Sequence, residues 1–113
     1  MRFFVVDDDE VVRCMLAQII EEEDLGQVVG EAKDGSEVTC EELQLKQVDI
    51  LLMDLMMPVQ DGLETIRQLD GFTGKIVMIS QVEAKDMVGE AYALGIEYYI
   101  TKPINRLEVV SVI

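Results

Sequence analysis

The stretch DILLMDLMM, residues 49–57, places a single aspartate, Asp54, directly after an unbroken apolar run and before further apolar residues. The run from Ile50 to Met53 shows no polar alternation, which is typical of a strand covered on both faces of a parallel sheet. A buried and unpaired carboxylate costs several kcal/mol, so Asp54 needs a cation or hydrogen-bond donors beside it. The stretch therefore predicts a buried strand that ends at a carboxylate with a specific partner.

Strand and helix patterns alternate along the rest of the chain. Short apolar runs predict strands near residues 3–6, 28–29, 50–53, 76–79 and 98–100. Helical patterns follow them: the apolar positions Val11, Val12, Met15, Leu16, Ile19 and Ile20, a polar helix that ends near residue 46, and helices near 63–69, 87–94 and from 104 onward. This succession of strand–helix units predicts an α/β fold with a doubly wound parallel sheet.

Turn residues mark several boundaries between these elements. Gly30 interrupts the second strand pattern, and Gly95 closes the fourth helix. Asp34, Gly35 and Ser36 predict a turn before the second helix, with Ser36 as the N-cap of that helix.

Composition limits the classes of function. The chain has 113 residues, the size of one domain, with 9 basic and 23 acidic residues and a net charge of -14. This charge has the wrong sign for direct binding to nucleic acid or to an anionic membrane, and no window reaches the length of a membrane span. Histidine is absent, which excludes a Ser-His-Asp triad, His-ligated zinc and a phosphohistidine on this chain. The two cysteines lack metal-ligand spacing and indicate free thiols in a cytoplasmic protein.

Polar side chains follow four of the predicted strands, at the point where each strand ends. They are Asp7, Asp8 and Asp9 after the first strand, Asp54 after the third, Ser80 after the fourth and Lys102 after the fifth. The carboxyl ends of parallel strands share one edge of the sheet, where ligands bind at the switch point of strand order. In the order 2-1-3-4-5 the first and third strands are neighbours, so the acidic cluster lies beside Asp54.

The chemistry of this group favours phosphoryl transfer. Carboxylates held together repel one another unless a cation joins them, and Mg²⁺ prefers oxygen ligands. Lys102 adds a positive charge suited to a phosphoryl group, and the hydroxyl of Ser80 can donate to a phosphoryl oxygen. Each residue taken singly also fits a structural role, such as a helix cap for the acidic run or a core position for Tyr99. The combination of four strand ends is more specific, and it predicts an aspartyl phosphate formed on Asp54.

Four segments resemble the receiver (CheY-like) domains of two-component response regulators. They are VVDDDEVVR (5–13), LLMDLMMPVQDGLE (51–64), IVMIS (76–80) and YYITKPI (98–104), in the family's order and with fitting spacing. The resemblance covers essentially the whole chain. It implies a flavodoxin-like (βα)5 sheet and a protein that is not a conventional enzyme, although it catalyses its own phosphotransfer and slow autodephosphorylation.

The resemblance also implies roles for individual residues. Asp54 accepts the phosphoryl group from a sensor histidine kinase, and Asp7, Asp8, Asp54 and the main-chain carbonyl of Met56 bind Mg²⁺. Asp8 is the more direct ligand, Asp7 acts partly through water, and Asp9 caps the first helix. Lys102 pairs with the phosphoryl group ahead of a cis bond to Pro103. Ser80 and Tyr99 form the switch, which alters a homodimerisation surface on the fourth helix, fifth strand and fifth helix.

One residue departs from the family pattern. Gln81 follows Ser80, where the family usually has alanine or glycine. Its bulk restricts entry to the phosphorylation pocket or brings its amide to the phosphoryl group. The departure affects the expected rate of phosphotransfer and leaves the site itself unchanged.

Two longer segments, residues 2–13 and 79–110, resemble the glutamine-responsive transcriptional regulators of Bacillus-like bacteria. We therefore expect residues 1–113 to form a single receiver domain, the N-terminal part of a longer protein with a truncated fifth helix. DNA would then be bound only through a C-terminal domain that is absent here. One alternative is a stand-alone receiver in a phosphorelay. The other, a haloacid dehalogenase-type phosphatase, requires an acid two residues after the nucleophile, where this chain has Met56.

Overall fold

A single parallel sheet organises the chain, which a computed structural model describes at residues 1–57, 59–81 and 85–113. The strand order within these residues is β2-β1-β3-β4-β5. The strands are β1 (Arg2–Val6), β2 (Gln27–Ala32), β3 (Ile50–Met53), β4 (Lys75–Ser80) and β5 (Tyr98–Thr101). The predicted α/β architecture and its strand order 2-1-3-4-5 are therefore confirmed.

Helices cover both faces of the sheet. They are α1 (Glu10–Glu22), α2 (Cys40–Leu45), α3 (Gly62–Gln68), α4 (Lys85–Ala93) and α5 (Arg106–Val112). Successive residues of β3 alternate between two apolar clusters: Ile50 and Leu52 belong to the cluster that includes α1, and Leu51 and Met53 to the cluster that includes α3. Because both faces are buried, the strand reads as a continuous apolar run.

The strand register brings the carboxyl ends of the strands together. Val6 of β1 pairs with Met53 of β3, and Met53 pairs in turn with Met78 of β4. The next residues of β1 and β3 are therefore neighbours at one edge of the sheet. Ser80 pairs with Thr101, which places the residue after β5 at the same edge.

The first helix buries a narrower face than its apolar pattern predicts. Val12, Leu16, Ile19 and Ile20 are buried. The prediction was wrong for Val11 and Met15, whose exposed fractions are 65% and 40%. A straight helix packed on a sheet buries one stripe, and the two residues lie on its flank.

The start of the second helix also differs from the prediction. Asp34, not Ser36, caps a short 3-10 helix at Gly35–Glu37, where its side chain accepts a hydrogen bond from Ser36 N. Thr39 then caps α2 by accepting from Glu42 N. The strand β2 continues through Gly30, which pairs with Phe4, and the shift in register between Phe3 and Phe4 places the irregularity at Val29.

No helix in the described part of the chain is both long enough and apolar enough to cross a membrane.

Candidate functional site

Asp54 lies directly after β3 and is only 5% exposed. Its main-chain nitrogen donates to Val6 O at 2.9 Å, which extends the pairing with β1 by one residue. Its Oδ1 accepts a hydrogen bond from Met56 N at 3.3 Å, and its Oδ2 lies 3.3 Å from Lys102 Nζ. One oxygen of this buried carboxylate thus has a hydrogen-bond donor and the other has an ammonium group, which are the partners that the sequence analysis required for Asp54.

Asp7 is the second buried carboxylate of the site, at 2% exposure. Its main-chain nitrogen donates to Ala32 O at 3.1 Å, and its Oδ1 accepts from Asp9 N at 2.9 Å. Its Oδ2 lies 2.9 Å from Lys102 Nζ. The expected cap at Asp9 is confirmed, since its Oδ1 accepts from Val11 N at 2.9 Å at the start of α1.

Lys102 joins the two carboxylates through one ammonium group. The residue follows β5, its side chain is 12% exposed, and its main-chain nitrogen donates to Ser80 O at 2.9 Å. The peptide bond between Lys102 and Pro103 is cis, as the family resemblance implies. Lys102 contributes one positive charge against the charges of Asp7 and Asp54, so the group as a whole remains anionic.

The surroundings of the site raise the pKa of both Asp7 and Lys102. Burial raises the pKa of the Asp7 carboxyl above its ordinary value, and the charge of Asp54 adds to the rise. Hydrogen bonds from Asp9 and Lys102 oppose this change without cancelling it. Burial alone would lower the pKa of Lys102, but its hydrogen bond with Asp7 and the charges of Asp54 and Asp7 outweigh burial and raise it.

Three carboxylates converge at a potential cation site. One oxygen from each of Asp7, Asp8 and Asp54 lies within 4.8 Å of the others. Asp8 is exposed and the other two are buried, so the group opens to solvent on the Asp8 side. Oxygen donors with excess negative charge fit a hard divalent cation such as Mg²⁺.

A cavity of about 350 Å³ adjoins these carboxylates. Its walls are formed by Asp8, Asp9, Val12, Asp54, Met56, Ser80, Gln81 and Lys102. Ser80 is 1% exposed at the end of β4, and the neighbouring Gln81 is exposed at the rim. The structure thus brings together the residues that the sequence placed at the strand ends. Tyr99 lies outside this cavity, half-buried against the apolar cluster that contains Ala91 of α4.

Sequence reasoning missed two residues near the site. The first is Arg13, whose Nη1 donates to Asp7 O at 2.6 Å. The only signal in the sequence was that Arg13 is the one basic residue of α1. Gly62 lets the start of α3 lie close to the segment that carries Asp54, because a Cβ at this position would lie 2.8 Å from Asp54 O. A glycine directly after the helix cap Asp61 was the available signal.

Comparison with known proteins agrees with this geometry. The family model described as Response regulator receiver domain matches residues 3–113. The chain is 67% identical over 114 residues to the Transcriptional regulatory protein GlnL of Bacillus subtilis, covering all of this chain but only 36% of that protein. It is 32% identical over 111 residues to the Chemotaxis protein CheY of Halobacterium salinarum, covering 96% of this chain and 90% of that protein.

Solved structures give the same result. The CheX–CheY–BeF3–Mg complex of Borrelia burgdorferi contains a chain with a TM-score of 0.90 and 25% identity, covering 99% of this chain and 85% of that one. The response regulator domain of Thermotoga maritima CheB has a TM-score of 0.86 and 30% identity, covering 98% of this chain and 91% of that one. The family match spans nearly every residue, and such domains receive their signal from a histidine kinase. The chain therefore belongs to the response regulator receiver domains.

Proposed function

We propose that Asp54 is the phosphoacceptor of this receiver and takes its phosphoryl group from a phosphohistidine of a sensor histidine kinase. An oxygen of the Asp54 carboxylate attacks phosphorus, a P–O bond forms, and the P–N bond breaks so that the imidazole nitrogen leaves with the electron pair. The observation that carries the proposal is the convergence of Asp54 with two further carboxylates and the Lys102 ammonium. This arrangement serves phosphoryl transfer, which depends on positioning and charge neutralisation.

Asp7, Asp8 and Asp54, together with the main-chain carbonyl of Met56, would hold the Mg²⁺ ion. The ion supplies charge neutralisation for the phosphoryl oxygens when it is bound. Lys102 stabilises charge on the same group from the end of β5, and Ser80 offers a hydroxyl donor at the cavity wall. The acyl phosphate is then lost slowly when water attacks phosphorus and the bond to the Asp54 oxygen breaks.

The switch that we propose connects this site to the face formed by α4, β5 and α5. Ser80 ends β4 in the cavity, and Tyr99 lies on the neighbouring strand β5. Phosphorylation that draws Ser80 and Tyr99 inward would change the surface around them. Tyr92, Tyr98 and Leu107 expose 45%, 43% and 77% of their surface on this face, which suits it to homodimerisation.

The output that we propose is control of transcription in the cytoplasm. The supporting finding is the 67% identity to a transcriptional regulatory protein of which the chain spans 36%. The net charge of -14 makes direct DNA binding by this domain unfavourable, so a separate C-terminal domain would bind DNA. The receiver would then control that domain through its own dimerisation.

The phosphoacceptor can be tested by intact mass after incubation with Mg²⁺ and acetyl phosphate. The parent should gain one phosphoryl group, and Asp54→Ala should gain none. Asp49→Ala is the matched control, because Asp49 lies at the opposite end of β3, and it should be labelled like the parent. Labelling of Asp54→Ala at the parental level would refute the assignment.

A further inference from the structure

Arg13 is a largely buried cation of α1 that contacts the main chain of Asp7. Its side chain is 14% exposed, although it belongs to a helix whose other charged residues lie at the surface. Its Nη1 donates to Asp7 O at 2.6 Å, and its Nε lies 3.4 Å from Glu31 Oε1. The guanidinium therefore joins the main chain of Asp7 to Glu31 near the end of β2.

The bond to Asp7 O restrains the peptide that links two of the carboxylates in the cation site. The carbonyl of Asp7 belongs to the peptide unit between Asp7 and Asp8. It lies beyond Val6, where β1 ends, and Arg13 supplies its hydrogen bond. On the other side, Asp7 N donates to Ala32 O at 3.1 Å. Because the two bonds fix this short stretch of main chain, they fix the directions in which both side chains leave it.

We propose that Arg13 is a positioning residue for the divalent cation and acts through the peptide between Asp7 and Asp8. This inference rests on the proposed metal site. Arg13 orients the main chain of two carboxylates, in the way that outer hydrogen-bond partners orient metal ligands in other proteins, and Glu31 lies beside its guanidinium on the solvent side. Loss of such partners typically weakens metal binding by about 10- to 100-fold.

Electrostatics alone predicts the opposite change in Mg²⁺ affinity. Arg13 carries a positive charge close to the site, so its removal would strengthen the attraction between the carboxylates and a cation. Loss of positioning would weaken binding instead. The direction of the change in Mg²⁺ affinity upon Arg13→Gln therefore separates a role in geometry from a role in charge.

The test is a calorimetric titration of Mg²⁺ into metal-free protein, without any phosphodonor. We expect Arg13→Gln to raise the dissociation constant by about 10-fold or more. The dissociation constant of Arg13→Lys, which keeps the charge and a donor group but loses the planar fork, should lie between those of Arg13→Gln and the parent. Glu31→Gln removes a half-exposed charge beside Nε and should change affinity by less than about threefold. The rate of phosphorylation by acetyl phosphate in Arg13→Gln should recover most of its loss at saturating Mg²⁺.

Two controls separate the failure of this inference from failure of the proposed function. If Asp8→Asn binds Mg²⁺ like the parent, the metal site itself is wrong. If Asp8→Asn loses binding while Arg13→Gln binds as tightly as the parent or more tightly, only the role of Arg13 is refuted. A lower melting temperature of Arg13→Gln in EDTA with an unchanged dissociation constant would also refute it, because that is the result of a purely structural role. Arg13→Lys provides the same comparison if Arg13→Gln does not fold.

Discussion

The two edges of the sheet use charged residues in different ways. At the amino edge, Asp49 precedes β3, is exposed, and accepts one hydrogen bond from Arg2 N at 2.8 Å. At the carboxyl edge, Asp54 follows the same strand, is buried, and shares one ammonium with Asp7. At the amino edge the Asp49 carboxylate accepts from one exposed main-chain nitrogen, whereas the carboxyl edge gathers negative charge that its lysine does not balance. Excess buried charge of one sign supports the cation that we propose for this site.

The larger of the two cavities does not lie at the edge that carries the candidate site. The amino edge has a cavity of about 550 Å³, lined in part by Arg2, Gln44 and Asp49. The cavity at the carboxyl edge measures about 350 Å³. The convergence of titratable groups, and not cavity volume, supports the carboxyl edge as the proposed functional site.

The largest effect should come from the lysine of the carboxyl edge. Lys102→Met removes the ammonium that faces both Asp54 and Asp7, and we expect phosphorylation by acetyl phosphate to slow by about 100-fold or more. Lys75→Met changes the exposed first residue of β4 at the amino edge and should leave the rate unchanged. Time courses of intact mass measure both rates. A parental rate in Lys102→Met would remove the functional distinction between the edges.

The aspartates of the two edges should affect stability with opposite signs. In EDTA at neutral pH, Asp7→Asn should raise the melting temperature by a few degrees, because it removes a buried charge beside Asp54. Asp49→Ala should lower the free energy of unfolding by roughly 0.5–1 kcal/mol, because it removes the acceptor for Arg2 N. Thermal and urea unfolding measure both effects. Destabilisation by both variants would mean that the Lys102 ion pair outweighs the burial of Asp7.

The gain in stability of Asp7→Asn over the parent should depend on pH. The pKa of the Asp7 carboxyl is raised by burial above the ordinary value of 3.8, so the unfolded chain loses this proton first as the pH rises. Stability of the parent therefore falls as the pH rises through the raised pKa, and the cost is complete above it. The advantage of Asp7→Asn should be full above the raised pKa and should shrink as the pH falls toward 3.8. An advantage that is constant over this range would exclude ionisation of Asp7 as its cause.

The smallest effect concerns access to the carboxyl edge. Gln81 is exposed and lines the cavity beside Asp54, so Gln81→Ala should speed phosphorylation by acetyl phosphate a few-fold. Gln44→Ala is the matched control at the amino edge, where it lines the other cavity, and should have no effect. If Gln81→Ala is slower than the parent, the amide of Gln81 assists the reaction instead of restricting entry.

Most of the fold could be predicted because its signals are local. Continuous apolar runs such as Ile50–Met53 require cover on both faces, and their alternation with helical patterns requires parallel crossovers. The boundaries were less certain where several capping residues compete. Ser36, Asp34 and Thr39 are all good caps by type, and the contact of Gly35 with the buried Thr65 restricts the geometry of that turn.

By itself, the sequence determined that Asp54 ends a buried strand and that acids, a hydroxyl and a lysine end its neighbours. These facts follow from residue order, since the ends of parallel strands share an edge. Tertiary structure decided that Lys102 reaches Asp54 across 48 positions of sequence and that Arg13 holds the main chain of Asp7. It also decided that Val11 and Met15 remain exposed. These features depend on how far each helix face is covered and on the direction of single side chains, which periodicity along the chain specifies only coarsely.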